Sequence, residues 1–334
     1  MVPVVRSLQA AWPETRLTWL IGSTEAKLIG DLEGVEFITF DKRRGGREYR
    51  RIRRDLAARR FDALLHAQVA LRANVLATAI RAARRIGFDR ARARDGHGLF
   101  VNERIAAQRQ AHVMTGFFGF AEALGVARQE LRWDIPVPED AAQKAARHIR
   151  DDQPALVISP CSSQRFRNFR NWQPERYAAV ADHAAERGLK VLVTGGPSAE
   201  EQRYGEAIER LSSAPVVNLV GQTGLKELFS LLGRATAVLA PDSGPVHMAV
   251  AAGTPVIGLY ATSNPRRTGP ALGQQWVVNA YPEAVRRAFG VDESEVAWGR
   301  RVRDPEALSL ISVDAVMERL DRLLATPVEQ RLSR

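Results

Sequence analysis

Two α/β domains, each a doubly wound sheet of parallel strands, are predicted by three observations. Short apolar runs suited to buried strands alternate with helix-period segments along almost the whole chain. A length of 334 residues, 45% of them apolar, is enough for about two hydrophobic cores. The segment WDIPVPED, residues 133–140, combines prolines with acidic residues, the composition of an inter-domain linker. The resulting division is 1–135, then 141–311, then a C-terminal helix and tail over 312–334.

The chain opens on a helix over 2–8, whose polar face begins at Arg6 and which Trp12-Pro13 ends. A strand over 16–21, a helix over 24–32 and a strand over 35–40 follow. A doubly wound sheet normally opens with a strand and a glycine-containing phosphate loop. Neither stands before the first helix here, so the expectation is that the usual first strand is missing ahead of Met1. Gly30-Asp31 does not supply that loop, because it lies at the end of the next helix. The stretch KRRGGREYRRIRRDLAARR, 42–60, carries a dense set of arginines on a loop and a helix. It reads either as a solvated face with Asp55 as partner or as an acceptor-binding surface. It leads into FDALLH, 61–66, a strand expected at the centre of the N-terminal half. A short basic strand over 85–88 and an aromatic-rich helix over 116–125, assigned to the core, complete the domain. His97 and His112 show no partner in the sequence and are given structural roles.

The second domain is expected to begin with a helix over 141–150 and a strand over 155–159. PCSSQRFRNFRNW, 160–172, is then a long basic loop at a strand's carboxyl end, where α/β sheets place ligands. A helix over 174–187 stops at Gly188, and a strand over 190–194 ends in Gly195-Gly196-Pro197, with Glu200 and Glu201 just beyond. The glycines allow close approach of backbone to a ligand. A further strand ends near Asn218, and Thr223 is expected to cap a helix over 225–233.

The densest chemical information lies in VLAPDSGPVHMAVAAGTPVIGLY, 238–260. It reads as a buried strand over 238–240, a turn, a helix from Pro245 to Ala252 capped by Ser243 or Gly244, a stop at Gly253 and a strand over 255–260. Such a turn presents free backbone N–H groups and the positive end of a helix dipole at the carboxyl edge of a sheet, an arrangement that binds anions. Asp242, Ser243 and Gly244 line it, and His247 sits in the first helical turn. The plainer alternative makes Asp242 and Ser243 simple caps and packs His247 beneath the sheet. NPRRTGP, 264–270, closes the crevice edge; helices are expected over 281–288 and 313–324, the latter with the spacing of a surface helix that could pack across both domains.

Composition narrows the function classes. A single cysteine, Cys161, excludes an internal disulfide and a cysteine-built zinc site, and fits a reducing cytoplasm. No apolar run is long enough to span a membrane, and MVPVVRSLQAAWPE lacks a signal peptide's charged start and apolar core, so the chain is expected to stay inside the cell. The formal net charge of +10, concentrated in arginine, favours anionic partners: nucleic acid, an acidic membrane surface or a phosphorylated glycolipid. No D-x-D cluster stands at a strand end, so no metal is expected.

The ordered string DSGPVHMAVAAGTPVIGLY, 242–260, resembles the signature of the bacterial lipopolysaccharide heptosyltransferases, glycosyltransferase family 9, and the resemblance covers nearly the whole chain. It implies the GT-B arrangement: two facing Rossmann-like domains with a cleft between them, the first on the acceptor side and the second holding a nucleotide-sugar donor. It implies that Asp242, Ser243, Gly244 and His247 help hold the diphosphate of an ADP-sugar. Arg170 stands two positions before Trp172, where the family usually has a lysine on donor phosphate; arginine keeps the charge and can grip two oxygens. Glu200, with Glu201 second, takes the place of the acidic residue that meets the donor nucleoside. HAQVALR, 66–72, resembles a segment at the cleft mouth, where Gln68 and Arg72 match on the acceptor side. The family's Gly-Asp pair, whose aspartate is the proposed base, has no match, which leaves the catalytic residue unassigned.

The activity so implied is inverting, metal-independent transfer of heptose from ADP-heptose to the inner core of lipopolysaccharide, with no cofactor. The implied acceptor is anionic lipid A-core, met by a cytoplasmic protein peripheral to the inner face of the cytoplasmic membrane, with no nucleic acid as partner. Two alternatives stand beside it: a nucleotide-sugar-binding homologue with weak catalysis, because the base-bearing segment is absent, and a basic nucleic-acid binder. The second has in its favour the aromatic-interleaved basic loop 160–172 and no recognised nucleic-acid module.

Overall fold

The computed structural model describes residues 1–162 and 169–333. The chain divides into two compact units, Met1–Pro136 and Val137–Arg334. In the first unit α1 (Val2–Ala11), β1 (Leu17–Gly22), α2 (Ser23–Ile29), β2 (Val35–Phe40), α3 (Gly46–Asp55), β3 (Phe61–Leu65), α4 (Leu71–Ala77), β4 (Ala82–Gly87), β5 (Glu103–Arg104) and α5 (Val113–Ala123) follow one another.

β1 pairs with β2 in parallel, from Leu17 opposite Val35 to Gly22 opposite Phe40. β3, β4 and β5 form a second parallel sheet in that order. β3 is therefore an edge strand, where the sequence led us to expect a central one. Its apolar residues answer to the helices over its faces and not to hydrogen-bonded neighbours: Phe61 joins Ile52 of α3 and Leu76 of α4, and Leu65 joins Phe118 of α5. An apolar run does not distinguish these two causes. α5 is core, with Phe118 and Phe120 fully buried. On α3 the buried residues are Glu48 and Ile52, and Arg51 bridges Glu48 and Asp55 while Arg47, Arg50, Arg53 and Arg54 point to solvent.

The second unit runs α6 (Glu139–His148), β6 (Ala155–Ile158), α7 (Pro174–Glu186), β7 (Lys190–Val193), α8 (Ala199–Leu211), β8 (Val216–Asn218), α9 (Leu225–Arg234), β9 (Ala237–Pro241), α10 (Gly244–Ala251), β10 (Val256–Tyr260), α11 (Pro265–Thr268), β11 (Val278–Asn279), α12 (Tyr281–Phe289) and α13 (Val313–Ala325). Its six strands are all parallel, in the order β11-β10-β9-β6-β7-β8. Starting from β6, the chain winds outward to β8, crosses back, and winds the other way from β9 to β11. This is the dinucleotide-fold order, and its switch point lies between β6 and β9. Every residue of β6, β9 and β10 is buried, as expected for strands covered on both faces.

One face carries the main core: Leu156, Ile158, Val191, Val193, Leu239 and Ile257 pack with residues of α7, α12 and α13. Helices α6, α9 and α10 pack together as a second group, as right-handed crossovers in two opposite directions require. α13 lies on α7, β10 and β11 within its own unit, and Asp321 accepts hydrogen bonds from His183 and Arg187. The expected Thr223 cap is not made. Gly224 is the N-cap of α9 without a side-chain bond, and the Thr223 hydroxyl is buried without a partner among the described residues.

Candidate functional site

The turn after β9 stands at the switch point. Asp242 and Ser243 are buried there, at 6% and 9% exposure. Asp242 is a carboxylate held from two sides: Ser263 donates from Oγ to its Oδ2 at 2.7 Å, and Arg170 donates from Nη1 to the same oxygen at 3.1 Å and to the Asp242 carbonyl at 2.7 Å. A buried charge needs such partners to stay ionised. Ser263 arrives from the loop after neighbouring β10, and Arg170 from the loop after β6.

Ser243 is the N-cap of α10 but does not cap it with its side chain, and its buried hydroxyl has no hydrogen-bond partner among the described residues. Pro245 has no N–H to satisfy, so the donors at the helix start are the Gly244 and Val246 amides with the Ser243 hydroxyl. A Cβ built on Gly244 would meet nothing within 4 Å, so this start faces open space. Preorganised donors beside the positive end of a helix, opening outward, are suited to holding an anion. His247 is exposed on the first turn, which removes the reading that buries it beneath the sheet.

The two acidic residues beyond Gly195-Gly196 have different jobs. Glu201 accepts from the Gly196 amide at 2.8 Å and from Ser198 Oγ at 2.6 Å, while its own amide donates to Ser198 Oγ. This is a reciprocal capping box that closes the glycine turn. A Cβ on Gly196 would lie 3.0 Å from Glu201 Oε2, so a larger residue would push against that carboxylate. Glu200 instead accepts from Asn171 Nδ2 at 3.0 Å. Asn171 Oδ1 in turn accepts from the Ser162 amide at 2.9 Å. Burial, with Glu201 and Glu200 nearby, pushes the Cys161 thiol well above its ordinary range, so it stays protonated and unreactive.

The structure thus joins Arg170, Glu200, Asp242, Ser243 and Gly244 around one sheet edge, with His247 on the helix that rises from it. Asn171 and Ser263, which tie the parts together, escaped the sequence reading. The signal for both was positional: loops after β6, β7, β9 and β10 meet at a switch point. Of the basic loop 160–172, residues 163–168 lie outside the described residues.

The acceptor-side candidates lie in the first unit. Gln68 is exposed on the loop after β3, and Arg72 is exposed in the first turn of α4. Beneath them runs a buried polar network. Asn74 Nδ2 donates to the Asp95 carbonyl at 2.9 Å, which turns its Oδ1 toward His66 Nε2 at 2.8 Å and His97 Nδ1 at 3.0 Å. The Phe88 amide donates to His97 Nε2 at 3.1 Å, so the His97 proton is on Nδ1. Burial lowers the His66 pKa to about 4, partly offset by the Asn74 bond, and burial also lowers that of His97. Both rings are neutral at pH 7. His112 caps α5 by accepting from the Met114 amide.

The family model described as glycosyltransferase family 9 (heptosyltransferase) matches residues 49–294. The chain is 37% identical over 320 residues to the lipopolysaccharide core heptosyltransferase OpsX of Haemophilus influenzae, covering 96% of this chain and 91% of that protein. Among solved structures, a glycosyl transferase family 9 protein from Veillonella parvula superposes with a TM-score of 0.77 at 21% identity, over 97% of this chain and 92% of that one. The Escherichia coli heptosyltransferase WaaC with ADP gives 0.73 at 20% identity, over 96% and 94%. These likenesses carry the GT-B fold, and with the matched residues they lead to one conclusion: the chain belongs to glycosyltransferase family 9, the heptosyltransferases.

Proposed function

We propose that this glycosyltransferase moves heptose from ADP-heptose to the inner core of lipopolysaccharide with inversion at the anomeric carbon. The observation that carries the donor half is the uncapped start of α10 with its partnerless Ser243 hydroxyl, opening at the switch point of a dinucleotide-type sheet. The diphosphate is taken by Ser243, Gly244 and the helix dipole, with Arg170 adding positive charge and the His247 ring standing on the same helix start; Glu200 meets the nucleoside. The acceptor hydroxyl attacks the anomeric carbon as its bond to the diphosphate oxygen breaks. Negative charge grows on the departing ADP, and donors already aimed at it stabilise that change without a metal. The acceptor proton passes to a base that remains unassigned.

The acceptor reading is supported by likeness to OpsX, a lipopolysaccharide core heptosyltransferase, and the donor reading by WaaC, solved with ADP and with ADP-2-deoxy-2-fluoro heptose. We assign Gln68 and Arg72 to the anionic lipid A-core, and with a lipid-borne acceptor the proposed place of work is the inner face of the cytoplasmic membrane. Transfer assays with ADP-heptose and defined core acceptors test the proposal, with EDTA in one arm. Heptosylated product, unaffected by EDTA, is the expected result. Donor binding without any transfer would favour a sugar-nucleotide-binding protein instead.

A further inference from the structure

The first unit carries an apolar patch that its own packing leaves in water. Leu99 is 88% exposed, Leu71 58% and Val75 43%. Leu71 and Val75 stand one turn apart on α4. The segment bearing Leu99 is fastened to α4 because the Leu71 amide donates to Asp95 Oδ2 and Asn74 bonds both Asp95 and His97. Beside Leu99 lies an open groove of about 320 Å³ lined by Thr78, Arg85, Leu99, Phe100, Val101 and Asn102. The Arg85 guanidinium donates to the carbonyls of Ala77, Ile80 and Phe100, and among the described residues no carboxylate pairs with it.

Cations flank these residues in the chain. Arg72, Arg94 and Arg104 are exposed, and Arg104 reaches over Gly98, where an added Cβ would come 2.7 Å from its Nη2. The carboxylate within the patch, Asp95, is engaged by the Leu71 amide. Exposed leucines flanked by guanidinium groups match the boundary layer of an anionic bilayer, where apolar side chains enter the acyl edge and arginines meet phosphates. A second copy of this chain would instead set arginine against arginine.

We infer that this face, Leu71, Val75 and Leu99 flanked by Arg72, Arg94 and Arg104, docks the first unit onto an anionic phospholipid surface; the inference rests on the lipid-borne acceptor proposed above and deepens it. The test is co-sedimentation of the full chain with vesicles of phosphatidylethanolamine and phosphatidylglycerol, against vesicles of phosphatidylcholine alone, with no donor or acceptor present. The unaltered chain is expected to bind the anionic vesicles, and Leu99→Asp to bind about tenfold less well. Arg94→Glu with Arg104→Glu is expected to lose roughly fivefold per charge at low salt, and less at high salt. Leu211→Asp, at a leucine 43% exposed in the second unit, serves as control and changes nothing. Melting curves establish that each variant is folded. Absence of binding to anionic vesicles, or equal binding by Leu99→Asp, would overturn the inference. Self-association abolished by Leu99→Asp without vesicle binding would assign the patch to a second copy. Because vesicle binding is read without donor or acceptor, its failure is distinct from failure of the transfer reaction.

Discussion

Arg170 and Asp242, 72 residues apart in sequence, are latched together: one guanidinium nitrogen donates to both the main-chain and side-chain oxygens of Asp242. The bond fastens the loop after β6 to the turn after β9 across the switch point. Both side chains are largely buried, so removing the cation leaves a buried carboxylate that keeps its bond from Ser263 but has lost its opposite charge. Arg170→Ala is therefore expected to lower stability on the order of 3 kcal/mol and to weaken ADP binding. Asp242→Asn in the same chain should recover much of the stability but not the affinity. Melting curves and titration calorimetry on the single and double variants check this; full recovery of both would reduce Arg170 to a structural role.

Ser243 makes the opposite kind of test. A buried hydroxyl without a partner costs desolvation and returns nothing until a ligand arrives. Ser243→Ala should leave the unliganded protein as stable or slightly more so, while ADP affinity falls about fivefold, near 1 kcal/mol. A thermal-shift series with and without ADP reads both effects, and an equal ADP shift in the two proteins would remove Ser243 from the site.

Glu200 and Glu201 should separate cleanly. Loss of the capping box in Glu201→Ala is expected to cost about 1 kcal/mol of stability. Glu200→Ala, whose bond is to Asn171, should weaken ADP binding with little change in melting temperature. The reverse pattern, read by the same two measurements, would exchange their roles.

The sequence reading and the structure part company where neighbours in space decide the outcome. The strand-turn-helix-strand of 238–260 was legible because its proline, glycines and apolar runs are local signals. The candidate residues on that turn stand out in the sequence for the same reason, and the structure brings them to one sheet edge. Asn171 and Ser263 were not, since their roles depend on strand order, which periodicity does not encode. The edge position of β3 was hidden likewise: Phe61 and Leu65 are apolar because helices cover them. Thr223 carried a cap's chemistry, yet Gly224 begins the helix.

The His66, Asn74 and His97 network gives a pH dependence. Burial first, aided by the nearby Arg85 charge, holds the His66 pKa near 4, with the Asn74 bond opposing it. An unfolded histidine titrates near 6.5, so between these values the unfolded chain binds more protons and stability rises with pH. Stability from this group is complete above about pH 6.5 and is lost as pH falls toward 4, by an amount on the order of 3 kcal/mol. Denaturant titrations across that range should show the slope, and His66→Gln should flatten it. An unchanged slope in the variant would place the titration elsewhere.

The most direct test of the anion cradle at α10 is a calorimetric titration of ADP into Gly244→Asp beside Gly244→Asn. Both side chains enter space where a Cβ meets nothing within 4 Å, and an acid at a helix start favours the helix, so neither variant should lose stability. The expected result is at least roughly tenfold weaker ADP binding by the aspartate variant than by the asparagine variant, the repulsion of a carboxylate against a diphosphate. Equal affinity in the two, at unchanged stability, would contradict the assignment of the diphosphate to this helix.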